Sequence, residues 1–176
     1  MRFYGITGTS MTNGDGLRTV LWVAGCNHHC KGCQNEYTWD PEGGDLFTEE
    51  IEKEIFRTID RDFWSGLTLS GGDPMYPSNR KDILDFCRKF NERYCGSRTI
   101  WMYTGYTMEQ IKDEPILDEI NVLVDGPYIE ERRNVNRQWC GSENQRVWRK
   151  INGIWKADKP AYSYDNEIQT HGCEDD

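Results

Sequence analysis

Hydrophobic positions along the chain switch between two periods. Thr19-Val20-Leu21-Trp22-Val23-Ala24 is nearly all apolar, as a strand buried on both faces should be. From Thr48 the period becomes helical. Thr48 is the expected N-cap, Glu49 and Glu50 lie beside the positive end of the dipole, and Ile51, Ile55 and Ile59 form one stripe. Leu67-Thr68-Leu69-Ser70 predicts a second strand. Asn79 or Arg80 opens a second helix, with Ile83, Cys87, Phe90 and Tyr94 on its apolar face. A third strand covers about 99–103, a weaker helix starts near Thr107 and is interrupted by Pro115, and residues 121–125 supply a fourth strand. Strands alternating with helices at these distances predict right-handed βα units and a mostly parallel sheet.

After Asp125 the pattern fades. Residues 126–150 carry six Arg or Lys (Arg132, Arg133, Arg137, Arg146, Arg149, Lys150) against Glu130, Glu131 and Glu143. This segment is expected to dock a partner, to line a ligand site, or to be a solvated loop with local ion pairs. Residues 1–156 are expected to form one domain, and the polar stretch 157–176, with Pro160 and an acidic end, a flexible tail.

The unusual segments each follow a predicted strand. Gly25-Cys26-Asn27-His28-His29-Cys30-Lys31-Gly32-Cys33 follows the first, Gly71-Gly72-Asp73-Pro74 the second, Thr104-Gly105-Tyr106 the third and Gly126-Pro127-Tyr128 the fourth. In parallel α/β sheets these loops share one edge, where ligands bind. Four such loops on one edge imply one site.

Length and charge narrow the classes. A chain of 176 residues is enough for one domain. Asp plus Glu outnumber Lys plus Arg by 30 to 21, a net charge of −9, which disfavours general affinity for nucleic acid or anionic membranes. No apolar run approaches the roughly 20 residues of a membrane span, and the N-terminus does not resemble a secretory signal. A soluble, cytoplasmic protein is expected.

Cysteine usage adds chemistry. Seven Cys is an odd count, so the thiols cannot all pair within the chain, and three fall within eight residues as C-x3-C-x2-C: Cys26, Cys30 and Cys33. Three thiolates on one tight loop can hold an iron–sulfur cluster with one iron left open to a small molecule. The competing expectation is a structural Cys3His zinc site with His28 or His29 as fourth ligand. Otherwise both histidines are exposed polar residues beside the cysteines. Cys87 is expected in the core, Cys95 and Cys140 are expected to be structural, and Cys173 falls in the tail. Arg18 is expected in a surface ion pair.

Together, C-x3-C-x2-C and the Gly-Gly-Asp-Pro turn resemble the radical S-adenosylmethionine (SAM) enzymes. Asn13-Gly14-Asp15-Gly16-Leu17-Arg18, Thr38-Trp39, Tyr103-Thr104-Gly105-Tyr106, VLVDGPY and Trp139-Cys140-Gly141-Ser142-Glu143-Asn144-Gln145-Arg146 extend the likeness to the glycyl-radical activases of anaerobic (class III) ribonucleoside-triphosphate reductase. The resemblance implies a partial (βα) barrel in a single radical SAM domain. It implies one 4Fe–4S cluster on Cys26, Cys30 and Cys33, with SAM on the open iron. Gly71, Gly72 and Asp73 would hold the methionine amino group through backbone acceptors, and Gly32, Cys33 and Gln34 would lie against the nucleoside. Reductive cleavage of SAM would give a 5′-deoxyadenosyl radical that takes hydrogen from a glycine of the reductase. A reduced flavodoxin-type donor and a homodimer are further implications. Gln34 stands where the family usually has an aromatic residue, Asp15 where it often has Pro, and Cys140 where it often has Arg. A compact radical SAM enzyme such as 7-carboxy-7-deazaguanine synthase, or a non-enzymatic zinc-binding interaction module, are the alternatives.

Overall fold

In the computed structural model, which describes residues 1–158, eight strands form one sheet in the order β3-β1-β2-β4-β5-β6-β7-β8. The strands are β1 (Arg2–Ser10), β2 (Arg18–Val23), β3 (Asp45–Leu46), β4 (Gly66–Gly71), β5 (Thr99–Tyr103), β6 (Val122–Asp125), β7 (Arg146–Ile151) and β8 (Ile154–Ala157). The helices are α1 (Glu49–Ile59), α2 (Arg80–Tyr94), α3 (Met108–Ile111) and α4 (Ile116–Glu119). The tail expected from residue 157, and Cys173 within it, lie outside the described residues apart from Ala157, the last residue of β8, and Asp158.

The four strands anticipated from hydrophobic runs are β2, β4, β5 and β6, and they pair in parallel as the centre of the sheet. On both flanks the pairing turns antiparallel: β3 on β1 and β1 on β2 at one side, β6 on β7 and β7 on β8 at the other. The parallel arrangement therefore covers three of seven pairings, and the strand order leaves β3 and β8 as the two edges. The flanking strands escaped notice because they bury little. Of β1 only Phe3 and Ser10 are buried, and of β7 only Val147. Strands with one partly solvated face lack the continuous apolar run of a central strand.

Helices cover one face of the sheet. Leu21, Val23, Leu67, Leu69, Ile100, Met102 and Leu123 point from the strands into a core completed by Ile55, Ile59, Ile83, Phe86, Cys87 and Phe90. Burial of each large aliphatic side chain contributes about 1.5–3 kcal/mol. Cys87 is fully buried there, as expected. Pro115 does split the third helical segment: α3 ends at Ile111 and α4 begins at Ile116. Gln110 accepts a 2.8 Å hydrogen bond from the Thr107 amide, half of a capping box.

The other face carries a smaller cluster of Trp101, Val122, Val124, Cys140 and Val147. No helix covers it. The segment between β6 and β7 folds over it instead, so the basic stretch after Asp125 is an ordered cover rather than a solvated loop. Among the described residues no helix is long and apolar enough to cross a membrane.

Candidate cluster and cofactor site

The loops that follow β2, β4, β5 and β6 meet at one edge, and backbone hydrogen bonds stitch them together. The Gly72 amide donates to the Val23 carbonyl at 2.8 Å and the Asp73 amide to the Gly25 carbonyl at 2.7 Å. The Gly126 amide donates to the Tyr106 carbonyl at 2.9 Å. Glycine is required at the first junction. Gly71 has φ +102°, and a Cβ on Gly72 would lie 2.4 Å from the Gly25 oxygen. The double glycine thus lets the β4 loop press against the start of the cysteine loop.

Cys26, Cys30 and Cys33 are free and half-buried on that loop. Burial pushes the Cys26 thiol up to about 11 and moves Cys30 in the same direction. Nearby backbone N–H groups oppose the shift, those of His28 and His29 at Cys26 and that of Tyr128 at Cys30. The Asn35 amide donates to the Cys33 sulfur at 3.4 Å. Main-chain N–H groups thus lie near each sulfur, the kind of donor that tunes thiolates bound to iron–sulfur clusters. Among the described residues, no three His, Cys, Asp or Glu side chains are gathered around a point where one metal ion would sit.

Asp73 is the most constrained group at this edge. The residue is 1% exposed, and its carboxylate accepts from the Met75 amide (2.8 Å), the Thr104 hydroxyl (2.8 Å), the Gly105 amide (3.0 Å) and His28 Nε2 (2.8 Å). Its own carbonyl accepts from the Tyr76 amide and the Asn79 side chain. The Gly72 carbonyl accepts no hydrogen bond among the described residues, so it is an available backbone acceptor of the triplet. His28 corrects an expectation. It is not an exposed polar residue but a paired one; its neighbour His29 is exposed and rests edge-on against Trp39.

Beside the cysteine loop, on the same face of the sheet as Trp101 and Cys140, lies a cavity of about 460 Å³. Its floor includes Trp22, Ser70 and Tyr103 from three central strands, and Cys33 and Gln34 stand at one wall. Tyr128, Arg133, Arg137, Trp139 and Cys140 close it from the cover segment. Trp139 adopts φ +65°, and its buried indole N–H has no partner among the described residues. Gln34 is exposed at the rim, while four aromatic rings line the same space, offering stacking surface that Gln34 lacks.

Gly32 lies beside Glu130 rather than in this cavity: a Cβ there would meet the Glu130 carboxylate at 2.3 Å. Cys140 is buried within 3.8 Å of the Arg137 guanidinium, and Cys95 is an exposed helix cap. Arg18 corrects a second expectation. It is fully buried and donates to Thr68, Thr99 and the carbonyls of Asp15, Leu67 and Thr99, with no carboxylate partner among the described residues. Sequence reasoning weighed His28 only as a zinc ligand or an exposed polar residue, and gave no individual role to Thr104, Tyr128 or Trp139 within their segments. All four sit in segments whose composition was already unusual, but Asp73, the partner of His28 and Thr104, lies 45 and 31 residues away from them.

A family model described as a 4Fe-4S single cluster domain matches residues 12–148, and so spans every site element above. The chain is 42% identical over 146 residues to the anaerobic ribonucleoside-triphosphate reductase-activating protein of Enterobacteria phage T4, covering 83% of this chain and 92% of that one. It is 40% identical over 143 residues to the protein of the same name from Vibrio cholerae, with 79% and 92% covered. For the Escherichia coli K12 protein of that name the identity is 36% over 151 residues, with 84% and 97% covered.

Proposed function

The chain belongs to the anaerobic ribonucleoside-triphosphate reductase-activating proteins, and from that membership we propose that it is a cytoplasmic radical SAM glycyl-radical activase for such a reductase. Cys26, Cys30 and Cys33 ligate the 4Fe–4S cluster, and SAM takes the open iron. That cofactor pair, when bound and reduced, would supply the radical chemistry for taking hydrogen from a glycine of the partner.

The chain's own residues bind, orient and exclude. Gly71, Gly72 and Asp73 hold the methionine amino group, with the Gly72 carbonyl as its backbone acceptor. Cys33 and Gln34 face the nucleoside across the cavity, and Arg133 supplies a cation for the carboxylate. Gly32 contributes backbone next to Cys33. The aromatic walls exclude water from the reacting bond and hold it in one orientation. No side-chain general base is required. A reduced flavodoxin-type protein serves as electron donor, and the active form is a homodimer.

One observation carries the proposal: two main-chain hydrogen bonds join the double-glycine loop to the end of β2 and the start of the cysteine loop, beside a cavity large enough for a nucleoside. The test is anaerobic. The protein is reconstituted with iron and sulfide, reduced and given SAM, with and without the reductase, and 5′-deoxyadenosine is quantified. Formation that disappears on Cys33→Ala supports the proposal. Iron-replete protein that forms none even with the reductase present overturns it.

A further inference from the structure

Given the SAM-binding role proposed above, we infer that His28 is a positioning residue that sets the cysteine loop against the Gly71–Asp73 loop, so that SAM affinity depends on it while cluster binding does not. His28 lies between Cys26 and Cys30, and its Nε2 is 2.8 Å from the Asp73 carboxylate. Its ring meets Tyr106 edge-on, with centroids 4.7 Å apart. The remaining wall is Gly105: a Cβ there would fall 2.4–2.6 Å from three atoms of the imidazole. The loops after β4 and β5 therefore shape one slot for a side chain of the cysteine loop.

The acceptor is itself held. Three donors from Met75, Thr104 and Gly105 fix the Asp73 carboxylate from the β4 and β5 side, leaving His28 as the donor from the cysteine loop. A buried carboxylate held this way cannot follow a moving partner without losing bonds to charge, each among the stronger kinds. The main chain ties the cysteine loop at Gly25, before the first cysteine. His28 adds a tie between the first two cysteines, and so sets where those two cysteines stand relative to the Gly72 carbonyl. Adjacent His29, exposed against Trp39, makes no such bridge.

The alternative is a fastener that supports the fold or the cluster alone. Wild type, His28→Ala, His28→Gln, Gly105→Ala and the His28→Ala/Gly105→Ala double variant would be loaded anaerobically. Iron and sulfide are counted first. SAM affinity is then read from the change it produces in the electron paramagnetic resonance spectrum of the reduced cluster. Expected is full iron content throughout, with SAM bound about tenfold more weakly by His28→Ala and by Gly105→Ala, which displaces the ring without touching a ligand. The double variant should be no weaker than His28→Ala, and His28→Gln, which keeps an N–H donor, should recover most of the loss. Unchanged SAM affinity in His28→Ala, loss of iron from it, or additive effects in the double variant would overturn the inference. A cluster-loaded wild type that gives no spectral response to SAM would instead overturn the SAM-binding role itself, and the inference with it.

Discussion

The Arg18 guanidinium lies 5.4 Å from the centre of the Trp101 ring, inside the sheet and without a carboxylate beside it among the described residues. Burial pushes its pKa down to about 9, with the Asp15 charge opposing, so it is still a cation at neutral pH. Five neutral acceptors and one aromatic face carry that charge. Arg18→Met is expected to lower the unfolding free energy of the apo protein by about 2–4 kcal/mol, and Arg18→Lys to recover only part because it lacks the planar fork. Urea denaturation decides it, and a change under about 0.5 kcal/mol in Arg18→Met contradicts the role.

The cysteines separate into two groups. Replacing Cys26, Cys30 or Cys33 by Ala should leave the reconstituted protein without a stable 4Fe–4S spectrum. Cys95→Ala and Cys140→Ala should retain it, although Cys140 borders the same cavity as Cys33. Iron and sulfide analysis of the five variants is the check. Full cluster content in any of the first three would remove that cysteine from the ligand set.

Gly72→Ala tests the junction of the two loops. Its Cβ would strike the main chain of Gly25, which cannot swing away as a side chain can. The expected cost is about 1–3 kcal/mol of stability, together with weaker SAM binding. Thermal unfolding of the apo protein and titration of the loaded protein should both move. A variant as stable as wild type would show that the close approach is not maintained in solution.

Alkaline pH should destabilise the apo protein through its buried thiols. Burial holds the Cys87 thiol protonated far above its ordinary range, and Cys26 up to about 11. In the unfolded chain these groups release protons near pH 8.5, so above that pH the folded state binds more protons and stability falls as pH rises. Each fully protected thiol contributes a slope of about 1.4 kcal/mol per pH unit. Cys87→Val should flatten the decline between pH 9 and 10.5 by roughly that amount. Parallel curves for the two proteins would contradict it.

Arg133 lines the cavity, and its side chain makes no hydrogen bond or ion pair among the described residues. Arg133→Ala is expected to weaken SAM binding about three- to tenfold without loss of iron, as removal of a partly exposed cation should. Arg132→Ala, one residue away and outside the cavity lining, is the control and should leave affinity unchanged. Equal effects of the two would point to general charge rather than a contact.

Much of the site was legible in the order of residues because its chemistry is local. C-x3-C-x2-C places three thiols on one loop whatever surrounds them, and a double glycine after a strand marks a close approach before its neighbour is known. The central strands and the stripes of α1 and α2 were legible for a related reason: full burial imposes a periodicity that a window of ten residues already shows. The loops after β2, β4, β5 and β6 could be assigned to one edge because parallel strands put their ends together.

The tertiary structure decided what depends on distant partners. Strands β1, β7 and β8 are set by pairing with neighbours, since they bury too little to carry a pattern of their own. Arg18 carries no sign in the sequence of whether it meets a carboxylate or five neutral acceptors. His28 differs from His29 only in that Asp73, 45 residues on, and Gly105, 77 residues on, form a slot for one ring and not the other. Composition and spacing determined which chemical groups this chain brings to its site. Packing across the sheet edge determined which of them are held, by what, and at what distance.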